Sequence, residues 1–349
     1  MKSKKYSENI LKAVKSRGYK YIELEAVIDA DQIIQRSGEN FRQYMFSFQD
    51  PSGNEMCLRP DLTIVSCLRY LKNKSKTKEK IFYSGQAFRK VKDREGKIIR
   101  NQIGYEIIGS KNIKQDDNEI IQTSIKIIKK VKKTKLKIEV GNIKLFNLLL
   151  DKLKIPKRWK LRLSRHFWRE KYFESLLKRL ETNSDIDPIG VEVDKKRYKK
   201  MKFENQNQII GGRKIFEILN RFNSKIKDPR KFIEGKKTAL IIREYLKISC
   251  PINLAKNKLN SFFLKHKIKI DIKDEFFPLK NKSNNNKMIF STNFGRELEY
   301  YTGMVFNIKN EFNINLIQGG RYDNLLSNLG SKRKIPAVGA AINLNFYDN

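Results

Sequence analysis

Gln102-Ile-Gly-Tyr-Glu-Ile-Ile-Gly109 has the two-residue alternation of a β-strand. Successive strand side chains point to opposite faces, so Ile103, Tyr105 and Ile107 fill one face while Gln102, Gly104 and Glu106 share the other. A glycine between an amide and a carboxylate leaves open space, in which an ammonium or imidazole group could be held. By itself the segment also reads as a solvated polar strand face.

Working outward, Ile81 to Phe88 supplies a strand partner, joined to the first strand by the charged loop Lys90 to Lys97. Upstream, Tyr44 to Leu58 reads as a hairpin turning at Asp50-Pro-Ser-Gly53, Ser37-Gly-Glu-Asn40 as a turn, and Tyr19 to Ile28 as β-rich. Ile10, Leu11 and Val14 recur at helical spacing between Ser7 and Arg17, and Gly18 stands where it can end that helix. Downstream, Ile121, Ile125 and Ile128 mark a helix, and Leu136, Ile138 and Val140 alternate as in a half-buried strand.

From about Asn142 to Lys247 the periodicity is mostly helical and the charge strongly positive, and Lys280 to Lys287 is polar and low in complexity. β character returns at Met288 to Ser291, Tyr300 to Ile308 and Ile314 to Ile317; Gly319-Gly-Arg-Tyr-Asp323 reads as a turn before Pro336 to Ile342. Strands and helices, then a helical insert, then strands predict an α+β domain built on an antiparallel sheet. The expected divisions are 1–141 and 288–349 as two parts of one core, with 142–287 as a mostly helical insertion ending in a flexible loop.

Composition narrows the function classes. The 349 residues include 39% hydrophobic and 11% aromatic residues, enough apolar material for a core, which argues against an intrinsically disordered basic chain. No apolar run approaches the ~18 residues of a membrane span, and no apolar segment follows the basic N-terminus, so a cytoplasmic protein without membrane attachment is expected. Three cysteines (Cys57, Cys67, Cys250) and two histidines (His166, His266) show no metal-ligand spacing, and neither a metal nor another cofactor is expected. Lys plus Arg number 75 against 38 Asp plus Glu, a net charge of +37. Such an excess attracts polyanions, but lysines alternating with Ile, Leu and Asn along nearly the whole chain also fit a compositional bias.

Two further segments concentrate polar groups. In Leu58-Arg-Pro-Asp-Leu-Thr63, Asp61 and Thr63 share a face if the chain is extended. Phe294 to Phe306 sets Tyr300 and Tyr301 after Arg296, and Arg89 closes Gly85-Gln-Ala-Phe-Arg89. Either arginine could clamp a carboxylate or phosphate through its planar fork of donors, or serve as a surface ion-pair partner.

Taken in order, Leu58 to Thr63, Phe82 to Arg89, Gln102 to Glu106, Arg296-Glu-Leu-Glu-Tyr-Tyr-Thr-Gly303 and Gly319 to Asp323 resemble the catalytic domain of the class II histidyl-tRNA synthetases. Ser37 to Arg42, Asp50 to Gly53 and Gly141 to Asp151 bring the chain closer to a paralogous family, the ATP phosphoribosyltransferase regulatory subunits. The resemblance implies a class II aminoacyl-tRNA synthetase-like antiparallel sheet flanked by helices, with a helical insertion. It also implies a histidine pocket: Asp61, Thr63, Gln102 and Glu106 around the amino group and neighbouring polar atoms, Tyr300 and Tyr301 at the ring, Arg89 and Arg296 at the carboxylate.

Departures from the synthetase pattern cluster in its nucleotide half. Val91 replaces the glutamate that follows the motif 2 arginine, and Phe346 replaces the arginine of the last motif, in Gly339-Ala-Ala-Ile-Asn-Leu-Asn-Phe346. A phenyl ring cannot neutralise triphosphate charge. No anticodon-binding domain is expected. The resemblance therefore implies a non-catalytic subunit that binds histidine for feedback, assembles with a short catalytic ATP phosphoribosyltransferase chain and dimerises. The alternatives are a truncated or degenerate histidyl-tRNA synthetase, or an RNA-binding paralogue using the basic insert.

Overall fold

The computed structural model of the chain describes residues 2–37, 42, 44–90, 98–131, 134–182, 188–203, 207–210, 213–226, 232–277, 287–295 and 300–344. The expected turn after Ser37, the charged loop from Val91 to Lys97, the polar stretch from Lys280 to Asn286, Arg296 and Phe346 lie outside these residues.

The chain opens with α1 (Lys2–Lys15), after which Gly18 takes a left-handed φ of 77°. The β-rich stretch forms two short strands, β1 (Lys20–Tyr21) and β2 (Val27–Asp29), followed by α2 (Ala30–Ser37). The hairpin is β3 (Ser47–Gln49) and β4 (Glu55–Leu58), and Asp50 Oδ1 closes its turn by accepting from the Ser52 and Asn54 N–H groups at 2.8 Å. Then come α3 (Leu62–Lys72), the long pair β5 (Glu79–Phe88) and β6 (Ile99–Ile108), α4 (Ile113–Val131) and β7 (Lys137–Asn142). The basic region forms α5 (Ile143–Lys152), α6 (Lys157–Arg165), α7 (Glu170–Glu181), α8 (Pro188–Met201), the two-residue strands β8 (Ile209–Ile210) and β9 (Arg213–Lys214), α9 (Ile215–Ile226) and α10 (Phe232–Leu246). The last elements are β10 (Ser249–Pro251), α11 (Ala255–Lys265), β11 (Lys287–Ser291), β12 (Met304–Lys309), β13 (Asn315–Arg321), α12 (Leu325–Asn328) and β14 (Ala337–Asn343).

Two compact units result: Met1–Lys144 with Ser249–Asn260 and Asp271–Asn349, and Leu145–Ile248 with Ser261–Ile270. The first is built on a nine-stranded sheet ordered β1-β5-β6-β14-β13-β12-β7-β11-β10, antiparallel except where β1 meets β5 and β11 meets β7. One face carries α4, against which Tyr105 packs and hydrogen-bonds to Ser124. The other carries α3 and α12, with Ile64, Val65, Leu325 and Leu326 buried in one apolar cluster.

In the second unit, Trp159, Leu163, Phe173, Leu176 and Leu180 are buried at helical spacing. Phe146 stacks on Phe167 at 4.0 Å, and Arg243 on α10 pairs with Glu174 and Glu181 on α7. Residues 145–248 and 261–270 contain 31 Lys and Arg against 13 Asp and Glu, so +18 of the +37 resides in this unit.

Two expectations are corrected. Tyr300 and Tyr301 precede β12 rather than lying in a strand, and Gly319, Gly320 and Arg321 belong to β13 rather than to a turn. The two glycines serve close packing: a Cβ on Gly319 would meet the Phe306 ring at 2.6 Å, and one on Gly320 the Tyr301 ring at 2.8 Å.

Candidate functional site

Glu106 is the centre of the site. The β5–β6 register sets Ile81 opposite Glu106 and Tyr83 opposite Gly104, and β14 sets Gly339 on the other side of Glu106. The row continues through Gly320, Val305 and Gly141, so glycine recurs across the floor of this sheet face. A Cβ on Gly339 would overlap the Glu106 carboxylate. The space expected above Gly104 is occupied instead: the Tyr83 ring lies over it, close enough to overlap any Cβ there.

The Glu106 side chain is 1% exposed and accepts three hydroxyl bonds, from Tyr83 (2.5 Å) and Thr63 (3.1 Å) at Oε1 and from Tyr322 (2.5 Å) at Oε2. A carboxylate offers about four lone-pair positions, so one acceptor position remains, on Oε2. Among the described residues no cation pairs with it. Burial pushes its pKa up to about 7, with the three hydroxyl bonds pulling down and Asp61 adding to the rise.

Asp61 behaves differently from its sequence expectation. It is not part of an extended run with Thr63 but the N-cap of α3, with Oδ1 accepting the Ile64 N–H at 3.0 Å. Thr63 therefore sits in the first helical turn, where its hydroxyl reaches Glu106. Asp61 Oδ2 accepts from Arg89 Nη2 at 3.1 Å, and Arg89 Nε donates to the Pro60 carbonyl at 2.8 Å. The guanidinium and the cap hold each other at the rim of the site.

Tyr300 packs edge-on against Tyr301 (5.1 Å) and Tyr322 (5.9 Å). Burial, then the nearby Asp61 and Tyr301, hold its phenol well above the usual range. Gln102 is half-buried on the same sheet face, between Gly85 and Asn343. The structure thus brings together Asp61, Thr63, Arg89, Glu106, Tyr300 and Tyr301, places Gln102 farther along the strand, and leaves Arg296 outside the described residues.

Sequence reasoning missed Tyr83, Tyr322 and Arg59. Tyr83 was accessible in principle, because it falls opposite Gly104 once β5 and β6 are paired. Arg59 donates to the carbonyls of Gln86 (2.7 Å) and Leu24 (2.5 Å) beneath Gly85, where a Cβ would meet its Nη2 at 2.6 Å. The cysteines lie apart from this chemistry: all are buried, and burial pushes the Cys57 thiol up to about 12. No group of three or more metal-ligating side chains, and no helix long and apolar enough to cross a membrane, occurs among the described residues.

A mostly antiparallel sheet carrying a buried acid, a capped Asp–Arg pair and paired tyrosines on one face defines a class II aminoacyl-tRNA synthetase-like protein. The sequence model of the Histidyl-tRNA synthetase family matches residues 1–205 and 258–346, and the chain belongs to that family. A Sinorhizobium fredii protein named ATP phosphoribosyltransferase regulatory subunit is 26% identical over 342 residues, covering 92% of this chain and 90% of the relative. One of the same name from Rhizobium rhizogenes is 28% identical over 332 residues, covering 90% and 88%. Among solved structures, a Bacillus halodurans protein described as an ATP phosphoribosyltransferase regulatory subunit/histidyl-tRNA synthetase superposes with a TM-score of 0.58 at 19% identity, covering 99% of this chain and 78% of that one. The histidyl-tRNA synthetase of Nostoc sp. PCC 7120 gives a TM-score of 0.64 at 14% identity, covering 98% and 70%. These two likenesses concern the fold.

Proposed function

We propose that the chain is a non-catalytic regulatory subunit of an ATP phosphoribosyltransferase, binding free histidine and required for the activity of a short catalytic partner. The observation that supports this reading most is the buried Glu106 carboxylate, with one acceptor position left over a glycine floor. The relatives that carry the regulatory-subunit name along about nine tenths of the chain point the same way.

Histidine brings two kinds of N–H donor, an ammonium and an imidazole. Glu106, with its pKa near that of imidazole, can accept either donor without the full cost of an isolated buried charge. Tyr300 and Tyr301 supply aromatic walls with polar tips. Asp61 faces the ammonium side, Thr63 and Gln102 complete the polar lining, and Arg89, with Arg296, takes the carboxylate end. Feedback then requires that histidine bind one conformation of the assembly more tightly, by a coupling of about 1–3 kcal/mol.

Isothermal titration of the full chain with histidine tests the pocket, and Glu106→Gln should weaken affinity about tenfold or more while the fold is kept. Unchanged affinity would place the ligand elsewhere. Phosphoribosyl transfer from phosphoribosyl pyrophosphate to ATP, assayed with the short catalytic chain alone and with this chain added, tests the partnership. Histidine-dependent ATP–pyrophosphate exchange by the purified chain would instead favour a synthetase, the other activity carried in the description of the Bacillus halodurans structure.

A further inference from the structure

Behind the site, on the α4 face of the sheet, a second buried acid holds the residue next to Tyr322. Arg321, 3% exposed, donates through Nε (2.8 Å) and Nη2 (2.6 Å) to Asp117 Oδ1 on α4, and through Nη1 (2.9 Å) to Asp323 Oδ1. Gly303 makes room for the arginine stem, since a Cβ there would meet its methylenes at 3.2–3.3 Å. The backbone on either side of Tyr322 is pinned as well. Thr302 N–H donates to the Arg321 carbonyl (2.8 Å), Asp323 N–H to the Thr302 hydroxyl (3.0 Å), and Tyr322 N–H to the Ala337 carbonyl (2.8 Å). Asp323 Oδ1 also accepts the Ala337 N–H at 3.1 Å.

We infer that Arg321 is a positioning residue: locked between Asp117 and Asp323 on one face of the sheet, it fixes the backbone from which Tyr322 delivers its hydroxyl to Glu106 on the other. The inference builds on the reading of Glu106 as the acid of the pocket. The bond at stake is short, and it goes to the oxygen that keeps the one unused acceptor position, so a displaced Tyr322 changes both the basicity and the accessibility of that position. Glu106 is faced by Tyr83 from β5, Thr63 and Cys67 from α3, Tyr300 and Tyr322, with Asp61 beyond; Asp117 is faced by Arg321 and Asp323, with Asp116 on its own helix.

The test uses the full chain with glutamate labelled at the carboxyl carbon, following the Glu106 titration by NMR; Glu106→Gln identifies the signal by its loss. Asp117→Asn should raise the Glu106 midpoint by about half a pH unit or more, the direction expected when a donor to the charged form is lost. In a Tyr322→Phe background the same substitution should produce no further shift. Lys78→Met breaks the neighbouring Lys78–Asp116 pair (2.8 Å) and should lower the melting temperature without moving the midpoint.

Destabilisation by Asp117→Asn with an unmoved midpoint, or an equal shift with and without the Tyr322 hydroxyl, would overturn the inference. If Asp117→Asn does not fold, Asp323→Asn removes the other carboxylate and is read the same way. Histidine titration of the wild type separates the two readings. No binding with the shift present removes the pocket and keeps the positioning role, whereas binding without the shift removes only the positioning role.

Discussion

Glu106 and Asp117 are both buried acids on opposite faces of one sheet, yet they are stabilised by different means. Asp117 has a full counter-charge in the Arg321 guanidinium, and together they tie α4 to the end of β13. Among the described residues Glu106 has only neutral donors, three hydroxyls drawn from α3, β5 and the residue after β13. A buried ion pair satisfies itself, whereas a carboxylate surrounded by hydroxyls still lacks a cation. The paired acid fits a structural brace, and the one without a cation among the described residues fits the charged-ligand site proposed above.

The sharpest way to break this contrast is Arg321→Met. It leaves the buried Asp117 carboxylate without its counter-charge and should cost about 3–5 kcal/mol at pH 8, measured by urea denaturation. At pH 5 the loss should be smaller, because burial pushes Asp117 up to about 6 even beside the guanidinium, and a protonated Asp117 needs no counter-charge. Equal losses at both pH values would show that Asp117 is not the charge in question.

The Glu106 side should reveal itself through pH alone. Its folded pKa, about 7, lies above its ordinary value of 4.5, so between these values the folded chain keeps a proton that the unfolded chain has lost. Stability is therefore highest below about pH 4.5 and falls as pH rises to about 7, by about 3 kcal/mol from this group. Glu106→Gln, which has no proton to lose, should show a flatter profile over this interval when the two chains are compared by urea denaturation. Parallel profiles would mean that Glu106 ionises normally. Smaller still, Tyr83→Phe removes one donor to Oε1 and should cost about 2 kcal/mol at pH 8, and less at pH 5, where Glu106 is neutral.

Much of the sheet was legible because its long elements carry local β signals. The apolar-rich run Ile81–Phe88, the alternation in Gln102–Ile108 and the turn at Asp50–Gly53 each carry their own local signal. The errors fell where distant packing outweighed a local one. Gly319 and Gly320 carry a turn signal, but the rings of Phe306 and Tyr301 press on them and they pair as a strand. Asp61 and Thr63 would share a face in an extended run, but the free N–H groups at the start of α3 recruit Asp61 as a cap and put Thr63 in the first helical turn. Within the site, Glu106 could be picked out by its position beside Gly104, but its partner Tyr322 lies 216 residues away. Only the β6–β14–β13 register brings them together.

Gly339 has a genetic consequence as well as a steric one. Every glycine codon becomes an alanine codon by a change at its middle base, and at this position the added methyl would coincide with the Glu106 carboxylate. A single nucleotide change is therefore enough to displace the Glu106 carboxylate from where its three hydroxyl donors meet it. Across related genomes, a glycine opposite this glutamate should accompany the glutamate itself, and a larger residue there should appear only where the buried carboxylate has been lost or moved.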